Sequence, residues 1–212
     1  MSIRVTAVGV VLGAALWATG ARAERLVAPP RPGQIGLCAQ GLYGSLLKSG
    51  EFGRDFSSGP GLAVQLRYRM RYERGFGLSF EAHNFDVRPT ATFTDPETGA
   101  TLTPDSTFAP KKLTLDLYGV DFYQMAGTRT ATTRFVSVGA GLAHPVRTLN
   151  DNEIDFTGGE DGAYVTLGAG MERFFWQSWA WTIGARYYAV FRNGSTNHDL
   201  QAAAGLVFYA TL

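Results

Sequence analysis

The sequence predicts an all-β fold, an eight-stranded antiparallel up-and-down transmembrane β-barrel. Three observations carry that reading. Long segments alternate between apolar and polar residues. Those segments approach the about 9–11 residues that a tilted strand needs to cross a bilayer. The connections between them alternate between short and long. The clearest specimen runs from Gly162 to Arg192. Ala163, Val165, Leu167, Ala169 and Met171 alternate with Tyr164, Thr166, Gly168, Gly170 and Glu172. Beyond an aromatic turn, Trp179, Trp181, Ile183, Ala185, Tyr187, Ala189 and Phe191 alternate with Ala180, Thr182, Gly184, Arg186, Tyr188, Val190 and Arg192. Residues two apart share a strand face, so this hairpin has one apolar face and one that is small, polar or charged.

Residues 1–23 are read as a secretory signal peptide. Arg4 precedes an apolar run from Val5 to Ala18, and Ala21-Arg22-Ala23 matches an A-x-A cleavage site. Residues 24–33, with Pro29, Pro30 and Pro32, form an extended leader, and the barrel domain occupies 34–212. Without Arg4 and Arg22 the formal charge falls from +1 to −1, which gives no electrostatic basis for nucleic-acid binding. Cys38 is the single cysteine, so no intrachain disulfide or thiolate metal site can form. It reads as a small buried or lipid-facing hydrophobe.

The first strand, Ile35 to Leu47, alternates weakly and holds Gly36, Gly41 and Gly44. The second, Pro60 to Tyr72, places Leu62, Val64, Leu66, Tyr68, Met70 and Tyr72 opposite Ala63, Gln65, Arg67, Arg69 and Arg71. The third, Phe76 to Val87, sends Phe76, Leu78, Phe80 and Ala82 one way and Ser79, Glu81 and His83 the other. Phe85 and Val87 then fall on the wrong parity, which reads as a bulge or an exit from the bilayer near Asn84. The fourth, Lys111 to Met125, opens with Leu113, Leu115 and Leu117 against Thr114, Asp116 and Tyr118. A second slip after Gly119 brings Val120 and Phe122 into line. The fifth, Phe135 to Val146, sets Val136, Val138, Ala140 and Leu142 against Ser137, Gly139 and Gly141. The hairpin described first supplies the sixth and seventh. The eighth, Leu200 to Leu212, carries Leu200, Ala202, Ala204, Leu206, Phe208, Ala210 and Leu212 on one face.

The links at 73–75, 126–133 and 175–178 are short or moderate, whereas 48–59, 88–110, 148–161 and 193–199 are mostly longer and more polar. Bacterial outer-membrane barrels have short periplasmic turns, longer extracellular loops and an even strand number. On that orientation Tyr72, Phe76, Phe174, Phe175, Trp176, Trp179 and Trp181 form a periplasmic-side aromatic girdle. An eight-stranded interior is just wide enough for side chains to fill. A lumen charge network of Arg67, Arg69, Arg71 and Arg186 against Glu81, Asp116 and Glu172, with Asp121 as a further acid, therefore predicts a plugged barrel. Two other readings use the same residues. A narrow ion or small-solute channel would run along these charges, and a secreted lipocalin-like soluble barrel would turn the apolar face inward.

Over roughly residues 34–212 the chain resembles the OmpA/OmpX-like eight-stranded outer-membrane barrels. The strand-final run Gly205-Leu206-Val207-Phe208-Tyr209-Ala210 is similar to the C-terminal signal read by the barrel-assembly machinery, although this chain ends in Leu212 where that signal usually has Phe. YVTLGAGMERFF and FVSVGAGLAHP likewise resemble strand pieces common to these barrels. The resemblance implies an assembly signal at Gly205, Phe208 and Ala210. It also implies an outer-membrane location, with outer-membrane lipid, lipopolysaccharide and the assembly machinery as partners. Fold of this kind marks architecture and says little about role.

The leading expectation is a structural or surface protein, serving adhesion or envelope integrity through its external loops. In the longest loop, Thr92-Phe93-Thr94 and Thr101-Leu102-Thr103 flank Asp95-Pro96-Glu97-Thr98-Gly99, a turn sequence. Strands three and four are thus expected to continue as a hairpin above the membrane. Loops 88–110 and 148–161 are the candidate contacts for an extracellular partner. The latter carries Asp151, Glu153, Asp155, Glu160 and Asp161, lacks EF-hand spacing, and reads as a solvated acidic loop. No cofactor and no metal site is expected. A lipid A-modifying enzyme is the remaining alternative. It would need a base within reach of a nucleophile, and the groupings available are His83 with Ser79 and Glu81, and His198 with Asp199 and Ser195 in the last external loop. His144 completes the set of histidines. Polar lumen or loop roles account for all three, and the chain is read as non-enzymatic.

Overall fold

The computed structural model describes residues 32–94, 99–106, 109–149, 152–154, 161–192 and 194–211. Eight long strands make the wall: β1 (Gln34–Leu46), β2 (Ser58–Arg71), β3 (Arg74–Asp86), β4 (Lys112–Ala126), β5 (Thr132–Leu149), β6 (Gly162–Phe174), β7 (Trp179–Arg192) and β8 (Ser195–Thr211). Each pairs antiparallel with its sequence neighbours, and β1 meets β8 from Gln34↔Thr211 to Leu46↔Asp199, so the sheet closes. β5 and β8 are 18 and 17 residues long and run past the rim at the end carrying the loops. β8 therefore absorbs most of what the sequence suggested as a last loop. Only residues 193 and 194 join it to β7.

The wall is inverted relative to a soluble barrel. Leu62 is 70% exposed and Leu167 63%, whereas Arg69 and Glu81 are each 1% exposed. Period 2 produces both faces at once, since each outward leucine or valine obliges its neighbours to point inward. A lipocalin-like arrangement needs the opposite assignment, and the structure excludes it.

Neither expected slip in β3 and β4 exists. The β3–β4 and β4–β5 ladders run without a register shift. Phe85, Leu113, Leu115 and Leu117 keep the inward parity and are buried, and Asp116 consequently points outward. The apolar residues on the wrong parity belong to an internal hydrophobic cluster at the loop end. Among the described residues the one register shift lies in the β2–β3 ladder, between Arg69 and Arg71. The bulge there leaves Arg71 exposed at the turn rather than in the lumen.

The connections also differ from expectation. Between β1 and β2 a one-turn helix, α1 (Gly50–Asp55), tucks Phe52 and the following Phe56 into the barrel mouth. It fits because Gly53 meets the β1 exit without a side chain: a Cβ there would lie 1.5 Å from the Leu47 carbonyl oxygen. The loop after β3 does not extend the strands. It forms a separate two-residue ladder, Phe93–Thr94 with Thr101–Leu102, and packs Ala91, Phe93 and Ala109 onto the same cluster.

The facing of β7 gives a direct expectation. Ala185 is exposed on the outer face, between Ala169 and Ala202 on the adjacent strands. Ala185→Arg is expected to cost about 2–4 kcal/mol near mid-membrane, and Ala185→Leu close to nothing. Urea unfolding of the protein in phospholipid vesicles measures both.

Candidate functional site: the lumen

An eight-stranded barrel places strands four apart on opposite walls, and its interior is narrow enough for one long side chain to cross. Two ion-paired groups use this geometry. From β2, Arg67 reaches Glu172 on β6, and Arg69 Nη2 donates to the same carboxylate at 2.9 Å. The Tyr209 hydroxyl donates to Glu172 at 2.8 Å, and Gln65 Oε1 accepts from Arg67 Nε and Nη2 at 3.1 and 2.7 Å. Higher in the barrel, Arg186 on β7 pairs with Glu81 on β3. Tyr188 donates to Glu81 at 2.9 Å, and Arg186 Nη2 donates to Gln40 at 3.0 Å. Each pair braces opposite walls.

These groups are held in place by packing. The Arg67 guanidinium stands 5.1 Å from the Tyr123 ring centre and 5.5 Å from that of Phe135, while Arg69 lies 4.9 Å from Tyr209. Such contacts replace part of the hydration a buried cation loses. Gly168 clears the path of Arg186: a Cβ there would sit 2.5 Å from Ser137 Oγ and 3.2 Å from Arg186 Cγ. The void beside the lower group, lined by Arg67, Arg69, Tyr123, Glu172 and Tyr209, holds about one water at most.

Above these two groups the interior turns mostly apolar, with His83, Asn197, Asp199 and Gln201 buried there as well. Leu46, Phe85, Leu113, Leu115 and Leu117 pack beneath Phe52 and Phe56 of the α1 segment. The cap is tied down by hydrogen bonds. Phe52 N donates to Asn197 Oδ1 at 2.7 Å, and Arg88 donates to the Gly53 and Leu46 carbonyls at 3.0 Å each. Arg192 lies 3.5 Å from Glu51 and 5.7 Å from the Phe52 ring centre.

Of the expected network, Arg67, Arg69, Glu81, Glu172 and Arg186 converge in the lumen, and Asp121 is buried there, 3.4 Å from the Tyr123 hydroxyl. Arg71 and Asp116 do not belong, for the reasons of bulge and parity given above. In the aromatic girdle, Tyr72, Phe76, Phe175, Trp176, Trp179 and Trp181 face outward, with Trp176 68% exposed. Phe174 is the exception at 3%. Its parity turns it inward, where it lies 5.7 Å from Tyr209 and forms part of the lumen floor. Phe208 points outward against Trp179, with ring centres 5.0 Å apart, Ala210 is exposed, and Gly205 is half-buried. Cys38 is buried beside Val207 and Tyr209. Sequence reasoning missed Gln40, Gln65, Tyr123, Tyr188 and Tyr209, the neutral partners of the ions. It also missed the α1 plug, whose only signal was the pair of parity breaks.

The histidines stand apart from one another. His83 is fully buried with Nε2 3.7 Å from Glu81, and neither ring nitrogen has a hydrogen-bond partner; Ser79 Oγ is 3.5 Å from the Gly119 carbonyl instead. His198 lies within β8, not in a loop, and its Nδ1 is 2.5 Å from the Tyr187 hydroxyl. His144 Nδ1 is 2.6 Å from Asp161. The expected signal peptide and the acidic positions Asp151, Asp155 and Glu160 lie outside the described residues.

A closed antiparallel barrel with leucines outside and paired arginines inside is built as a membrane-spanning β-barrel. The solved structures that share this fold include outer membrane proteins. The chain is similar to Neisserial surface protein A, at TM-score 0.58 and 11% identity over 82% of this chain and 95% of the other. It is similar to the outer membrane protein OprG from Pseudomonas aeruginosa, at 0.55 and 10% over 89% and 100%. Similarity to the outer membrane protein AlkL, solved in lipid bilayers, is 0.51 and 12% over 92% and 97%. No protein-family model and no curated protein sequence matches the chain.

The pairing has a measurable signature. Glu172→Gln leaves Arg67 and Arg69 buried without their shared carboxylate and is expected to cost about 3–5 kcal/mol. Glu81→Leu combined with Arg186→Met is expected to cost less than either change alone, because the double variant strands no charge. A double-mutant cycle on urea midpoints measures the coupling.

Proposed function

We propose that the chain is an integral outer-membrane protein with a closed lumen. Its role is structural: it anchors a surface cap in the membrane and serves adhesion or envelope integrity through it. The observation that supports this best is the filled interior, with cross-wall ion pairs below, a packed apolar cluster above, and α1 seated in the mouth. No step of chemistry is assigned: His144 and His198 stand with partners that suit structure, and His83 is buried with no hydrogen-bonded nucleophile. The short turns at 72–73, 127–131 and 175–178 lie at the end where β1 begins and β8 finishes. We place that end in the periplasm, after export directed by residues 1–23 and insertion by the barrel-assembly machinery. The opposite end faces outward into lipopolysaccharide, and loops 88–110 and 148–161 are the candidate contacts for an extracellular partner.

Two measurements check this. The protein is expected to resist carbonate extraction and to run as a faster folded form on unheated gels; extraction by carbonate with no folded-form shift would defeat the membrane reading. In planar bilayers it is expected to give no steady conductance, and sustained openings above background would replace the plug with a channel.

A further inference from the structure

The lower lumen group is short of acceptors. Arg67 and Arg69 share one carboxylate, that of Glu172, so two positive charges meet one negative. Arg67 is fully engaged: Nη1 donates to Glu172, and Nε and Nη2 donate to Gln65. Arg69 is not. Its Nη2 donates to Glu172 and Tyr209, yet Nε and Nη1 have no hydrogen-bond partner among the described residues, and the residue is 1% exposed. Buried donors on a charged group are costly to leave unmade. The Tyr209 and Phe174 rings, 4.9 and 6.0 Å from the guanidinium carbon, replace only part of the hydration it loses.

Arg69 lines a void of about 10 Å³, the space of one water-sized sphere, whose wall includes both arginines and Glu172 but no other acid. Asp121 stands in register with Gly77 and Arg67, one row nearer the loops, while Tyr123 takes that place in the Arg69 row. Phe135 and Met125 complete the wall. Met125 is unbranched and adjustable, so it yields to an occupant somewhat larger than water. The void lies toward the turn end, where Arg71, Arg74 and Arg129 are exposed and Glu73 is the only exposed acid among the described residues. A field of that sign concentrates anions at the barrel floor.

We infer that Arg69, with Arg67 beside it, binds a single small inorganic anion, chloride, in the floor of the lumen. Chloride accepts from Arg69 Nε and Nη1 and balances the charge that Glu172 leaves over. Water would supply the acceptor without the charge, and a phosphate or an organic carboxylate is too large for the void. The anion acts as a counter-ion of the cross-wall brace, so folding takes up one chloride. The site needs the closed barrel and no particular surface role.

The test refolds the full chain into phosphatidylcholine vesicles and follows urea unfolding as sodium gluconate is replaced stepwise by sodium chloride. Ionic strength stays constant, so screening does not change, and gluconate is too large to enter. The unfolding constant is expected to fall about tenfold for each tenfold rise in chloride once the site is filled. Arg69→Met should abolish this dependence. Glu172→Gln removes a neighbouring negative charge and should move the dependence to chloride concentrations about tenfold lower. The two lumen variants change the response in opposite directions, which loss of stability alone does not produce. Arg71→Gln with Arg74→Gln, on the exposed rim, should leave it intact. No chloride dependence in the unaltered protein, one that survives Arg69→Met, or one that vanishes with the rim pair would overturn the site. A folded-form gel shift is read separately, and its absence in the unaltered chain would remove barrel and site together.

Discussion

Closure of the sheet is the constraint on which everything else in this protein depends. A strand edge in hydrocarbon has no water to satisfy its backbone groups, so the first strand must find the last. The ladder from Gln34↔Thr211 to Leu46↔Asp199 does this. With eight strands, closure also sets an interior about one side chain wide. Opposite walls are then within reach of a single arginine, which is how Arg67 and Arg69 on β2 meet Glu172 on β6, and Arg186 on β7 meets Glu81 on β3.

The interior is consequently a core of two kinds. Near the turns it is polar, and its charges are tolerated because tyrosines and glutamines complete their hydrogen bonding. Near the loops it is mostly apolar, with His83, Asn197, Asp199 and Gln201 buried beside the cluster, and it needs a cover, since the outermost buried rows would otherwise meet water. The α1 segment and the small ladder after β3 supply that cover with Phe52, Phe56 and Phe93. The long loops are thus partly core elements. Charge follows a similar division outside the wall: at the end with short turns the exposed charges are arginines apart from Glu73, whereas acids, lysines and arginines such as Arg54 mix at the other.

Much of this was legible in the chain because strand facing is a local property. Leu62, Val64 and Leu66 announce a lipid-facing strand, and Arg67 and Glu172 announce its inner side. Two of the differences share one origin: a lipid face extended over Leu113, Leu115 and Leu117 requires slips that the ladders do not contain. The ladders are regular, and those leucines pack against a helix in a stretch whose local pattern reads as loop. Arg71 and Phe174 went astray at strand ends, where a bulge and a change of surroundings break the link between parity and environment.

The sequence by itself determined the number of strands, their outer and inner faces, and the residues available to fill the lumen. Those follow from a period of two and from turn chemistry, which act over a few residues. The tertiary structure decided which charge meets which, that the wall arginines sort into lumen and rim, and that two loops fold inward as a plug. These depend on closure and register across all eight strands, bringing together residues such as Glu81 and Arg186 that are 105 positions apart. Spacing along one strand carries no record of a partner on the opposite wall.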